Sequence, residues 1–110
     1  MNISIAKDFS DAPWGRTPDD SVFCGANFRD QKLFPALKGN EMVVVSLDGV
    51  EGLGSSFLDE AFGGLVRIHK FTANQLKAKL LVETTEPRLE LYVQLIWEYI
   101  EEAARDLIAA

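Results

Sequence analysis

Apolar positions along the chain fall into two kinds of pattern. Met42-Val43-Val44-Val45-Ser46-Leu47 is a short, nearly unbroken run rich in β-branched valine, which predicts a central strand covered on both faces. It leads through Asp48-Gly49-Val50-Glu51-Gly52-Leu53-Gly54 into a stretch where Leu58, Ala61, Phe62, Leu65, Ile68 and His69 share one face at helical spacing. Strand, glycine-rich turn and helix therefore organise residues 41–70. Asn2-Ile3-Ser4-Ile5-Ala6 alternates and predicts a short first strand near an edge. Ser21-Val22-Phe23-Cys24 predicts another short strand, and Lys77-Ala78-Lys79-Leu80-Leu81-Val82-Glu83 a buried one.

Two further helices follow from the same reading. The first starts at Asn27 with Phe28, Leu33, Phe34 and Leu37 on its core face. Pro35 bends or restarts it, and Lys38-Gly39-Asn40 stops it. The last helix enters through Thr84-Thr85-Glu86-Pro87, and Leu89, Val93, Ile96, Ile100, Ala103 and Leu107 form its core stripe. Leu91, Tyr92, Leu95, Trp97 and Tyr99 widen that stripe, either as a well-covered helix or as a face for a homodimer or other oligomer. Between Asp8 and Asp20, Pro13, Gly15 and Pro18 break any period, so a long loop of the kind that carries sites is expected. Together the elements predict one α/β domain over 1–110, with a mixed, mostly parallel sheet of about four to five strands and three main helices.

A chain of 110 residues with 47% hydrophobic and 25% charged residues fits an ordinary globular core. The net charge of −6 repels nucleic-acid phosphates, so protein or small-molecule partners are expected instead. No apolar run approaches the ~20 residues that cross a bilayer and the start lacks a signal-peptide pattern, which predicts a cytoplasmic protein with no membrane contact. A single Cys24 and a single His69 provide no spaced metal-ligand set and no disulfide, and no cofactor motif is present.

The glycine-rich turn holds most of the candidate chemistry. Ser56 stands three residues before Asp59, the spacing of a capping box, which would leave Ser55 one step outside the helix with its hydroxyl free. Asp59 and Glu60 would occupy the first turn, where the helix dipole favours anions. Gly63-Gly64 inside a helix costs about 1 kcal/mol per glycine, which close contact with the sheet would explain. Arg16, next to Gly15 in the long loop, is a candidate for binding an anionic group. His69 reads as a packing or dipole residue. No Ser/His/Asp set or phosphate-binding Gly-x-x-x-x-Gly-Lys-Ser is present, so an enzyme is not expected. A competing use of the turn is a receiver-like or Mg²⁺-binding site built from Asp48 with Glu51, Asp59 or Glu60.

The stretch from Val45 through Asp48-Gly49-Val50-Glu51-Gly52-Leu53-Gly54-Ser55-Ser56-Phe57 to Leu65 resembles the centre of the STAS-like family of uncharacterised bacterial proteins. The likeness extends over nearly the whole chain, through Lys7-Asp8-Phe9-Ser10, Gly15-Arg16, Gly25, Phe28-Arg29, Leu33, Pro35 and Leu37, with Cys24 departing from the pattern. That family is similar to true STAS domains, the anti-anti-sigma factors, in which a strand leads into an Asp-Ser-Ser-Gly turn whose first serine a partner kinase phosphorylates. Here Ser55 matches that serine, with Ser56 beside it, while Gly54 replaces the aspartate and Phe57 the glycine. The resemblance implies a non-enzymatic regulatory module that binds a histidine-kinase-like ATPase or anti-sigma-type protein. The implied contact surface runs from Gly52 through Gly54, Phe57 and Asp59 to Glu60, with Arg16 as an accessory.

Overall fold

The computed structural model describes residues 1–40 and 42–109; Glu41 and Ala110, which the sequence reading placed at the start of the central stretch and the end of the domain, lie outside the described residues. Its centre is a three-stranded sheet in the order β1 (Asn2–Ser4), β2 (Val43–Ser46), β3 (Leu80–Glu83). All neighbours are parallel, with Ile3 opposite Val45 and Val45 opposite Val82. The middle strand is thus the one expected, and β1 is an edge.

Four expectations about the sheet are overturned. Among the described residues it has three strands, not four or five, and it is parallel throughout rather than mixed. The antiparallel candidate, residues 21–24, is a turn: the Phe23 N–H donates to Ser21 Oγ at 3.0 Å, and the Phe23 carbonyl accepts the Trp14 N–H at 3.1 Å. β2 is covered on one face only, since Val43 and Val45 are buried while Val44 and Ser46 are half-buried. Leu81 of β3, in register with Val44, is 48% exposed. A valine on the open face reads the same as one in the core, which is why the unbroken run suggested burial on both sides.

The helices pack on the closed face. After β1, Ser4 caps the short α1 (Ile5–Asp8), its Oγ accepting the Lys7 N–H at 3.1 Å. No helix or strand interrupts residues 9–24. A continuous helical rod then runs through α2 (Gly25–Phe28), a wide π turn (Arg29–Leu33) and α3 (Phe34–Gly39). It starts two residues earlier than expected, and it widens just before Pro35. Gly39 does not adopt the left-handed backbone anticipated for it.

A second rod is built the same way, from α4 (Ser55–Leu58), a π turn (Asp59–Gly63) and α5 (Gly64–Arg67). π turns are rare and need a local cause. α6 (Ala73–Lys79) occupies part of what was expected to be strand. Its signal was present in Thr72-Ala73-Asn74-Gln75: Thr72 Oγ1 accepts the Gln75 N–H at 3.0 Å, and Gln75 Oε1 accepts the Thr72 N–H at 2.9 Å, a complete capping box. A 3₁₀ turn (Pro87–Leu89) opens α7 (Glu90–Ala109). Leu89 of that turn and Ile96, Ile100 and Ala103 of α7 are buried as the spacing required, whereas Val93 is half-buried and Leu107 is exposed. No helix of the described residues is long and apolar enough to cross a membrane.

Phe28, Phe57, Phe62 and Leu65 fill the core between the rods and the sheet. Gly25 lets the rods touch: a Cβ there would stand 2.6 Å from the Phe57 carbonyl oxygen and 3.0 Å from the Ala61 nitrogen. Leu65 has no solvent exposure, so Leu65→Ala should cost roughly 2–5 kcal/mol. Leu81→Ala on the open face should stay within about 0.5 kcal/mol. Urea unfolding followed by circular dichroism measures both, and similar values for the two would contradict the one-sided sheet.

Candidate functional site

The turn after β2 is braced on two sides. Asp48 and Gly49 form its tight corner, where Gly49 takes φ +92°, a left-handed backbone that favours glycine. Gly52 and Gly54 do not need that freedom. The Asp48 carboxylate accepts Thr84 Oγ1 at 2.6 Å, the Thr85 N–H at 2.8 Å and Thr85 Oγ1 at 2.8 Å. These bonds, with Thr84 foremost, hold its pKa below the ordinary 3.8. The Gly49 N–H donates to the Glu86 carboxylate at 2.7 Å, and Arg88 donates to the carbonyls of Val50 at 2.7 Å and Glu51 at 3.2 Å. From the other side the Asp11 carbonyl accepts the Glu51 N–H at 2.7 Å. The chain therefore reaches the second rod in a defined conformation.

The helix start differs from the expected capping box. Gly54 is the N-cap, with no side chain to offer, and Ser55 and Ser56 are the first two helical residues, both exposed. Ser55 is thus inside the helix, not one step outside it, and Ser56 does not cap. Asp59 is engaged elsewhere: its Oδ2 lies 2.7 Å from Arg16 Nη1 and its Oδ1 3.1 Å from Arg67 Nη1. Phe57, a candidate contact residue, is fully buried against Phe9 and Phe28.

An ionic network joins the two rods at their π turns. Arg29 is 4% exposed; its Nη1 reaches Glu60 Oε2 at 2.5 Å and the Glu60 carbonyl at 2.9 Å, and its Nε reaches Asp30 Oδ1 at 2.8 Å. Burial would lower its pKa, but the bonds to Asp30 and Glu60 outweigh burial and raise it. Arg16 adds a 3.6 Å contact to Glu60. Its bond to Asp59 is the main reason its pKa rises. Asp30 also meets His69 Nε2 at 2.8 Å, while the His69 ring stacks on Phe34 with centroids 3.7 Å apart, the packing role expected for it.

Gly63-Gly64 serves this network, not the sheet. A Cβ on Gly63 would approach Arg67 Nη1 to 2.8 Å and Asp59 Oδ1 to 2.9 Å, and one on Gly64 would collide with the Arg29 guanidinium. Arginine access explains two glycines in series where sheet contact had been anticipated.

The structure brings Asp59 and Glu60 together with Arg16, and leaves Ser55, Ser56 and Gly54 on the surface beside half-buried Gly52. It does not gather Asp48, Glu51, Asp59 and Glu60: no group of three or more potential ligands suited to a metal occurs among the described residues. Arg16 is an internal tether, not a free anion receptor. Arg67 and Asp30 are not visible in the sequence as site residues and Arg29 enters only through the family likeness, although the glycine pair is the trace of the two arginines. In the sequence Thr84, Thr85 and Glu86 read only as helix entry, and Arg88 carries no signal.

Two outcomes follow. Helix propensity alone would have Gly64→Ala stabilise by about 1 kcal/mol. Because Arg29 is pinned at both ends, overpacking should instead destabilise by roughly 1–3 kcal/mol, while Gly39→Ala, with open space around it, should be neutral or better in urea melts. For Asp59, burial raises the pKa, but the bonds to Arg16 and Arg67 prevail and the net shift is downward from 3.8. Its contribution is then fully present above pH 3.8 and is lost as pH falls through the lower folded value. Asp59→Asn should be less stable than wild type at neutral pH and the gap should close on acidification; a gap independent of pH would refute the assignment.

No curated protein and no solved structure matches the chain. One family model does, over residues 25–89, a narrower span than the near-complete likeness expected from the sequence. That span runs from the start of α2 to the 3₁₀ turn before α7 and includes both π turns, the serine pair and the glycine pair. With more than half its length matched, the chain belongs to the family described as the STAS-like domain of unknown function (DUF4325).

Proposed function

We propose that the chain is a non-enzymatic regulatory module, like an anti-anti-sigma factor, that binds a histidine-kinase-type ATPase through the turn before α4 and the first turn of α4. Phosphorylation of Ser55 is the switch. The observation that carries this reading is the exposed serine pair at the start of a braced rod. Two hydroxyls stand free in the first helical turn, on a backbone fixed by Asp48, Glu86 and Arg88 from one side and by Arg16 from the other. Family membership supports the fold on which such a switch would act.

The proposed contact set is Gly52, Gly54, Ser55 and Ser56, with Glu51 added beside them; Phe57 is left out because it is buried, and Asp59 and Glu60 because they face their arginines. A phosphate on Ser55 would add about −1.5 to −2 charge. The helix start offsets it by about 0.3–1 kcal/mol, and Asp59, held by two arginines, repels it less than a free carboxylate would. The module keeps its fold, whereas a partner shaped for a neutral turn meets repulsion and desolvation.

Capture from the native host followed by mass spectrometry should return an ATPase of the histidine-kinase type. In titration calorimetry against it, Ser55→Asp should keep the native circular-dichroism spectrum and lose about tenfold or more in affinity, while Ser55→Ala binds nearly as wild type. Equal binding by Ser55→Asp would remove the switch.

A further inference from the structure

We propose that the tip of the 9–24 loop is a second anchor on the same side of the module, fitted to a protein partner that offers an apolar pocket rimmed by lysine or arginine. This rests on the reading above for the existence of a protein partner. The anchor residues are Trp14, Val22 and Phe23, 58%, 68% and 43% exposed. They lie on two adjoining stretches of the loop, since the Trp14 N–H donates to the Phe23 carbonyl at 3.1 Å. Large apolar side chains on a surface are unremarkable when scattered, but a tryptophan, a phenylalanine and a valine carried on hydrogen-bonded neighbouring backbone are residue types that can anchor binding.

The loop is not loose. The Asp20 carboxylate accepts the Arg16 N–H at 2.8 Å and the Thr17 N–H at 3.3 Å, Asn27 Nδ2 donates to the Val22 carbonyl at 2.9 Å, and the N–H groups of Gly25 and Ala26 donate to the carbonyls of Gly15 and Arg16 at 3.0 and 3.1 Å. Gly15 takes φ +86°, and a Cβ there would stand 2.5 Å from that of Asp20. The presented side chains therefore lose little further backbone freedom on docking, which preserves affinity. Phe23 meets Phe9 edge to face at 5.7 Å, Phe9 lies 6.4 Å from Phe57, and Asp11 bonds the Glu51 backbone, so the tip is physically continuous with the serine turn.

Charge selects the occupant. Asp11, Asp19, Asp20 and Glu51 are exposed around the tip, and the one arginine of the loop is turned inward to Asp59. A second copy docking symmetrically would set like carboxylates against each other. An anionic membrane would be repelled for the same reason. A basic rim around an apolar pocket satisfies both features, and the tip lies outside the residues the family model matches, where this chain can carry its own partner specificity.

The test uses synthetic amphipathic helices of leucine with lysine, and of leucine with glutamate in the same order, titrated into the full chain and followed by amide and indole NMR shifts. The lysine peptide should shift the Trp14 indole and the Val22 and Phe23 amides but not the Trp97 indole. It should bind about tenfold or more tighter than the glutamate peptide and weaken as salt rises. Trp14→Ser and Val22→Ser, both at exposed positions, should keep the fold and lose that binding. Equal binding of the two peptides, shifts centred elsewhere, or Trp14 shifts only with phosphatidylcholine vesicles would each overturn the anchor. Ser55→Asp should still bind the lysine peptide at the tip, so a failed serine switch and a failed anchor give different patterns.

Discussion

The Arg29–Glu60 pair is the constraint to which much of the structure answers. A guanidinium 4% exposed to water has to find partners for its donors, and it finds a carboxylate and a carbonyl from the same residue on the opposite rod. Every buried side-chain nitrogen or oxygen among the described residues is likewise hydrogen-bonded. The rods must approach closely, which Gly25 permits against the Phe57 carbonyl, and the facing surface must leave room for arginine, which Gly64 provides. Both rods widen into π turns where the network sits, one beginning at Arg29 and the other at Asp59. A buried ion pair is weak evidence of added stability, because desolvation offsets much of the attraction, but removing one partner strands the other charge. The pair therefore acts as a registry device: misplacing either rod along the other takes Glu60 from Arg29 and leaves it only Asp30 of its own rod.

That device also decides which candidate residues are available for function. Asp59 and Glu60, at the start of a helix, would ordinarily be solvated anions favourable to the dipole. Here Arg16 and Arg67 hold one and Arg29 holds the other, so the polar face beside the serines is already satisfied within the molecule. The side chains left over at the helix start are the two serines. The long loop, tethered by Arg16, becomes part of the same surface.

How much could be read in advance depended on the range of the interaction. The central strand, the turn, the second rod and the core stripe of α7 came from short-range periodicity, and β1 was correctly placed at an edge. Residues 21–24 have strand-like composition, yet Ser21 and Trp14 take the Phe23 hydrogen bonds that a ladder would need. The Thr72–Gln75 capping box is legible in the sequence, but the strand signal of Leu80-Leu81-Val82 just after it is stronger and extends back over the helix end. The Ser56–Asp59 spacing looked like a capping box and is not one, since Arg16, forty-three residues away, competes for the carboxylate at 2.7 Å. Spacing reports what a carboxylate can reach locally; it is silent on a stronger partner arriving from another element.

The position of the serine turn follows from the sheet itself. With three parallel strands in sequential order, every strand ends at the same edge, and the segments that leave β1, β2 and β3 emerge side by side there. In parallel sheets this carboxyl edge is where sites collect, because loops of independent sequence converge on one place. The contacts here are of that kind: Asp48 after β2 is held by Thr84 and Thr85 after β3, and Glu51 by Asp11 after β1. The turn after β2 is therefore held from both sides, by the loop after β1 and the loop after β3. The rigidity of the turn before Ser55 is thus a property of strand order, and a change at Thr84 or Thr85, neither of which lies in the turn, should reach the serines through Asp48.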